Sequence, residues 1–94
     1  MPNIMTEPLE IRRKRLIYRC DHRGTKELDL ILGSFARINA PLLSEQELGM
    51  LEALIEEREN DLMDWIVGRA SPPARHDNAL MARLRQFRFV DSLR

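Results

Sequence analysis

One cysteine, Cys20, stands among the 94 residues. That excludes an internal disulfide framework, and a lone thiol cannot by itself build a zinc site. The chain is accordingly expected in a reducing compartment, the cytoplasm. Long hydrophobic runs are missing as well. The longest, LDLILGSFA, is interrupted by Asp29 and falls far short of the roughly 18 to 20 apolar residues that cross a bilayer, so no membrane association is expected. No apolar stretch follows the amino-terminal arginines, and Glu7 and Glu10 are unlike a presequence poor in acids. Neither export nor import of the chain as given is expected. Glycine is scarce, with four residues, and no phosphate loop, nucleotide fingerprint or triad-like set occurs, so an independent enzyme is not expected. His22 and His76 have no Cys or Asp spacing around them that would make a metal site.

Net charge is zero, but the signs are segregated. Residues 1–26 hold seven basic and three acidic groups, whereas residues 45–64 hold one basic and eight acidic. Such a distribution either steers a charged partner or draws two faces of one domain together.

At this length, with 44% apolar residues, the chain has room for one modest core and one domain, spanning 1–94 with a core at about 9–88 and flexible tails at 1–6 and 90–94. Periodicity places five short helices in it. Pro8 suits a first helical turn, and a helix to about Arg19 or Cys20 would put Leu9, Leu16 and Cys20 on one face and leave the RRKR run at 12–15 to water. From Thr25, the positions Leu28, Ile31, Leu32, Phe35 and Ile38 form an amphipathic stripe that ends at Asn39-Ala40-Pro41.

Ser44-Glu45-Gln46-Glu47 is a capping box opening a third helix, with Leu48, Leu51, Leu54 and Ile55 inward and Glu52, Glu56 and Glu57 outward. Asn60 would cap a short fourth helix, DLMDWIVG, stopped by Gly68. After the SPPA loop, Asp77 or Asn78 would cap a fifth, with Leu80, Leu84 and Phe87 inward and Arg83, Arg85 and Arg88 mostly on another face. No strand alternation or repeat occurs. The expected architecture is all-α, a single small bundle of five short helices. Trp65 with Leu62 and Ile66 matches a buried face better than a stacking platform. Cys20 likewise points inward, a structural thiol rather than a nucleophile, despite basic neighbours that would lower its pKa. Gly33 and Gly49, inside helices, imply close helix approach.

The stretch HRGTKELD at 22–29 places Arg23 and Gly24 where one helix stops and the next starts. Gly24 answers the need for positive φ at such a junction. Glu27 falls in the opening turn, where a carboxylate is favoured by about 0.3–1 kcal/mol.

R-G-x-x-E-L-D, here Arg23, Gly24, Glu27, Leu28 and Asp29, follows Y-R-C at 18–20, and D-L-M-D-W-I occupies 61–66. Together these blocks resemble the succinate dehydrogenase assembly factor family (SdhE, the FAD assembly factors) over about residues 11–88. The chain departs from that pattern in a slightly longer turn between Cys20 and Arg23 and in His22 where arginine is common. The resemblance implies a five-helix chaperone, not an enzyme, that binds the flavoprotein subunit of succinate dehydrogenase, and often of fumarate reductase, as a monomer forming a transient heterodimer. It would promote covalent attachment of FAD to a histidine of that partner while binding no cofactor stably itself.

The partner-binding residues so implied are Tyr18, Arg19, Arg23, Gly24, Glu27 and Asp29, with no catalytic, cofactor-binding or metal residue. In this role Gly24 would admit close backbone approach, Arg23 would fork onto a carboxylate or phosphate, and Glu27 would pair with a partner arginine. Glu27 as general base to the flavin methyl is the less favoured reading, because an anion beside a flavin gathering negative charge opposes the reaction. The alternative function is a small helix-turn-helix-like module using the basic amino-terminal run on nucleic acid, which zero net charge and the acidic third helix weaken.

Overall fold

The computed structural model describes residues 7–92, with side chains through Phe87. Five helices follow one another, α1 (Leu9–Asp21), α2 (Lys26–Asn39), α3 (Glu45–Leu54), α4 (Glu59–Val67) and α5 (Ala79–Ser92), with short 3-10 turns at Ala40–Leu42 and Ala74–His76. No strand occurs among the described residues. The all-α expectation holds. The tail expected at 90–94 is helical as far as Ser92, while the expected amino-terminal tail and the orientation of Arg88 fall outside the described residues and side chains.

The apolar stripes meet in one core drawn from all five helices: Leu16 and Cys20, then Leu28, Leu32 and Phe35, then Leu48, Leu51 and Leu54, then Leu62, Trp65 and Ile66, then Leu80 and Leu84. Phe87 packs edge-on against Phe35, ring centroids 5.6 Å apart. Trp65 is buried, as expected from its spacing. Ile38, assigned to the α2 stripe, is instead 60% exposed. Ten residues past Leu28, the helical repeat has turned it about 80° off the core direction.

Local signals set the helix ends. Ser44 Oγ accepts from the Glu47 N–H at 3.1 Å and the Glu47 carboxylate accepts from the Ser44 N–H at 2.9 Å, completing the capping box. Gly68 ends α4 at φ 84°, the left-handed geometry that lets the Arg69 N–H reach the Asp64 carbonyl at 2.8 Å. Asn78, rather than Asp77, caps α5, its Oδ1 accepting from the Met81 N–H. The fourth helix starts earlier than expected, at Glu59 with Arg58 in the cap position. Glu59 and Asp61 in its first turn favour the positive helix end without a capping side chain.

The charge segregation resolves as internal attraction. Arg12 of the basic run, expected in water, is buried at 6% exposure and donates to both Glu52 oxygens, at 2.5 and 3.3 Å. Those hydrogen bonds, with the charge of Glu52, hold the guanidinium pKa above its ordinary value. Arg13 donates to the Ala40 and Leu43 carbonyls, while Lys14 and Arg15 pair with Glu10 and Glu7.

Glu52, expected outward, turns to α1 for the same reason. Arg83 and Arg85, expected on an outer face, are also braces. Arg83 reaches Glu47 and the Asn39 Oδ1, and Arg85 donates to the Trp65 carbonyl at the end of α4. A long arginine stem covers apolar surface while its head finds an acceptor, so a basic residue beside an apolar stripe need not be solvated. Of the two interior glycines, only Gly33 is needed to make room for a side chain. A Cβ on Gly33 would collide with the Asp21 carboxylate, and one on Gly49 would lie 3.9 Å from Arg12 Nη2.

Removing one partner of a buried ion pair costs more than removing the whole pair. Glu52→Leu, which leaves Arg12 only the longer contact to Glu45 at 3.5 Å, is expected to lower stability by about 1–3 kcal/mol. Arg12→Met, which frees the more exposed Glu52 to water, should cost less. Urea midpoints of the two variants, measured side by side, check the order.

Candidate functional site

The corner between α1 and α2 is built on an aspartate of α2. Asp29 Oδ1 accepts from the Arg23 N–H at 2.5 Å and the Gly24 N–H at 3.1 Å. Two successive amides are thereby pinned to the helix that follows them. Gly24 adopts φ 109°, backbone that side-chain-bearing residues rarely take. A Cβ there would also lie 3.2 Å from Glu59 Oε1. The positive φ is what requires glycine, since the Glu59 side chain can shift, and Gly24 remains exposed to solvent.

Arg23 and Asp29 face inward at this corner. Arg23 Nη2 donates to the Glu57 carbonyl at 2.9 Å, tying the corner to the α3–α4 junction. Its Nε is buried without a partner among the described residues. This differs from the expected fork onto a partner's carboxylate, because the side chain already spans to α3. Arg19 is committed too, with Nη2 2.5 Å from Glu56 Oε1.

The residues left facing outward are Tyr18, Gly24 and Glu27. Tyr18 is 64% exposed and stacks on His22, ring centroids 4.1 Å apart at 21°. His22 Nδ1 lies 2.7 Å from the Tyr18 carbonyl, so the proton is assigned to Nδ1. Glu27 occupies the first turn of α2, exposed. The six implied partner residues thus lie in one region: Tyr18, Gly24 and Glu27 are exposed, Arg23 and Asp29 are engaged within the corner, and Arg19 makes a partly exposed ion pair with Glu56.

Behind the corner lies a cluster that sequence reading missed. His76 is buried at 4% exposure, its Nε2 2.6 Å from Glu57 Oε2, with Arg75 donating to the same oxygen at 2.9 Å. The His76 ring also meets Trp65, centroids 5.7 Å apart. The hydrogen bonds from His76 and then Arg75 hold the Glu57 carboxyl below its ordinary pKa. Glu57 therefore receives the 69–78 loop through its side chain and Arg23 through its carbonyl. Nineteen residues separate it from His76, and no local pattern announces the pair.

Cys20 is fully buried, and desolvation pushes its thiol up to about 12. The neighbouring arginines oppose this and lose, so the inward, structural reading holds. No group of three or more His, Cys, Asp or Glu side chains is placed to hold a metal ion among the described residues, and no helix there is long and apolar enough to cross a membrane.

These observations define a small all-helical protein with a braced backbone corner exposed to solvent. The family described as Sdh5, flavinator of succinate dehydrogenase, matches residues 14–88, and the chain belongs to it. The FAD assembly factor SdhE of Acetobacter pasteurianus is 33% identical over 81 residues, covering 86% of this chain and 74% of that protein.

The mitochondrial succinate dehydrogenase assembly factor 2 of Cryptococcus neoformans is 43% identical over 63 residues, covering 67% of this chain and 36% of that one. Its namesake in Dictyostelium discoideum is 34% identical over 73 residues, covering 78% and 52%. The chain therefore spans most of the bacterial relative but only 36% and 52% of these two mitochondrial ones.

Two predictions follow from the bracing. Asp29→Ala deprives two adjacent amides of their acceptor, a loss of about 1–2 kcal/mol. It should speed hydrogen exchange at Arg23 and Gly24 while leaving the core amides protected. Glu57, with a depressed folded pKa, contributes stability that is present above the ordinary carboxylate pKa and lost as pH falls through the lower folded value. The fall in urea midpoint between pH 6 and pH 3, a window of about three units around the ordinary value, should be smaller in Glu57→Gln than in the parent.

Proposed function

We propose that this chain docks its Arg23–Gly24 corner on the flavoprotein subunit of succinate dehydrogenase and promotes covalent attachment of FAD to a histidine of that subunit. Membership of the flavinator family supports the client and the reaction. The carrying observation is the exposed Gly24, held at positive φ by Asp29, because it offers bare backbone in a fixed shape. Flavin attachment needs the client's histidine within attack distance of the flavin methyl carbon. Fixing such a geometry lowers a barrier by several kcal/mol, within the roughly 7–11 available from orientation.

The residues of this chain do that by binding and excluding motion. Gly24 lets the client's backbone or flavin edge approach, Glu27 offers a carboxylate to a client arginine, and Arg23 transmits rigidity from α3. None needs to move a proton. FAD belongs to the client throughout, and this chain holds no cofactor stably. The flavoprotein subunit of fumarate reductase is proposed as a second client, the factor acting as a monomer in a transient heterodimer. The buried thiol Cys20 suits the reducing cytoplasm as its location.

The nucleic-acid alternative loses its basis. Each residue of the RRKR run, Arg12 to Arg15, is engaged by a carboxylate or carbonyl of its own chain, so among the described residues this run is not a free basic face for phosphates.

Covalent flavin in the denatured dehydrogenase subunit provides the test, compared without the factor, with it, and with its Gly24→Arg and Glu27→Ala variants. Gly24→Arg should fold around an intact core but displace the corner, at a strain of about 1–3 kcal/mol, and return flavinylation to the level without factor. Glu27→Ala should lower the rate by about tenfold, the loss of one charge-assisted hydrogen bond. Equal covalent flavin in all four samples would refute the proposal.

A further inference from the structure

Behind the corner, the link between α3 and α4 is held only lightly by its own backbone. The Glu56 N–H donates to the Ala53 carbonyl and the Glu57 N–H to the Leu54 carbonyl, the short bonds of a turn, and Arg58 gives α4 no capping side chain. Yet this link carries the acceptor that holds Arg23. The Glu57 carbonyl takes Arg23 Nη2 at 2.9 Å, while Arg23 Nε is buried without a partner among the described residues. The seat of the Arg23 guanidinium therefore depends on where one backbone carbonyl lies.

What anchors that carbonyl from outside the link is the Glu57 side chain. Its Oε2 accepts from Arg75 Nε at 3.0 Å and Arg75 Nη2 at 2.9 Å, and lies 2.6 Å from His76 Nε2. The two partners are unequal. The Arg75 side chain is 63% exposed, and an ion pair in water fixes a geometry weakly. His76 is buried against Trp65, so its bond is shielded from water and electrostatically stronger for it. An ionised carboxylate only accepts, which assigns a proton to Nε2.

We infer that His76 is a positioning residue for flavin attachment. Through Glu57 it fixes the carbonyl that seats Arg23, and so the approach of the Arg23–Gly24 corner to the client. The reaction it serves is that of the function proposed above, on which this role rests, whereas the link from His76 to Arg23 belongs to the free chain. Being buried, His76 offers no contact to a client. Its loss therefore acts on the rate within the complex and leaves affinity nearly unchanged.

Two variants separate the hydrogen bond from the packing. His76→Gln places an amide N–H near the Nε2 position, whereas His76→Leu fills the space beside Trp65 with no donor. Covalent flavin in the dehydrogenase subunit is followed over time at rising concentrations of factor, below the melting transition of every variant. His76→Leu should lower the saturated rate about fivefold, with the half-saturating concentration within about twofold of the parent. His76→Gln should recover most of that rate. In the free factor, solvent exchange of the buried Arg23 Nε proton, read by NMR, should be about tenfold faster in His76→Leu than in the parent.

A saturated rate in His76→Leu equal to the parent's would overturn the inference. So would His76→Gln performing no better than His76→Leu, which would make His76 a packing residue of Trp65, or a lowered rate with Arg23 Nε exchange unchanged. A parent factor that adds no covalent flavin would overturn the proposed function and this role with it, and would be seen before any variant is compared.

Discussion

The carboxylate of Asp29, accepting from the amides of Arg23 and Gly24, is the interaction on which the exposed surface depends. A loop between two helices ordinarily leaves its amides to water and moves accordingly. Here one charged acceptor fixes two consecutive peptide units against the helix that begins a turn later, and only a glycine accommodates the resulting φ. The corner is held because its bond partner lies in a helix anchored in the core, where Leu28 and Leu32 on either side of Asp29 are buried. Arg23 extends the same stiffness to Glu57, and Glu57 extends it to His76 and the loop before α5. The exposed corner is thus the end of a chain of contacts that begins beside Trp65.

Opposite charges do much of the assembly around that core. The basic amino-terminal helix and the acidic centre of the chain meet across α1 and α3, through Arg12 with Glu52 and Arg19 with Glu56. Such pairs contribute little when exposed, but Arg12 is buried and its partner is fixed, so it specifies how α1 lies on α3. The same pairing removes the electrostatic face that a nucleic-acid module would need. Tyr18, Gly24 and Glu27 are left exposed where α1 hands over to α2.

Much of this was legible beforehand in local chemistry. The stripe Leu28, Ile31, Leu32 and Phe35, the Ser44–Glu47 capping box, the Gly68 stop and the positive φ at Gly24 each follow from spacing or stereochemistry within a few residues. Helix boundaries were read less well where the deciding signal was weak, as at Glu59, which opens α4 through favourable first-turn acids rather than a capping side chain. Ile38 was misplaced because its distance from the middle of the stripe let the helical repeat carry it off the core.

Local chemistry in the sequence by itself determined the five helices, most of their inward faces and the two positive-φ glycines, Gly24 and Gly68, since propensity, periodicity and capping act over four residues or fewer. Tertiary structure alone decided that Arg12 and Arg23 turn inward, that Asp29 accepts from the Arg23 and Gly24 amides, and that His76 closes on Glu57. Each of those outcomes depends on which acceptor happens to lie within reach of a long or buried side chain. That proximity is created only when helices distant in the chain pack on a common core.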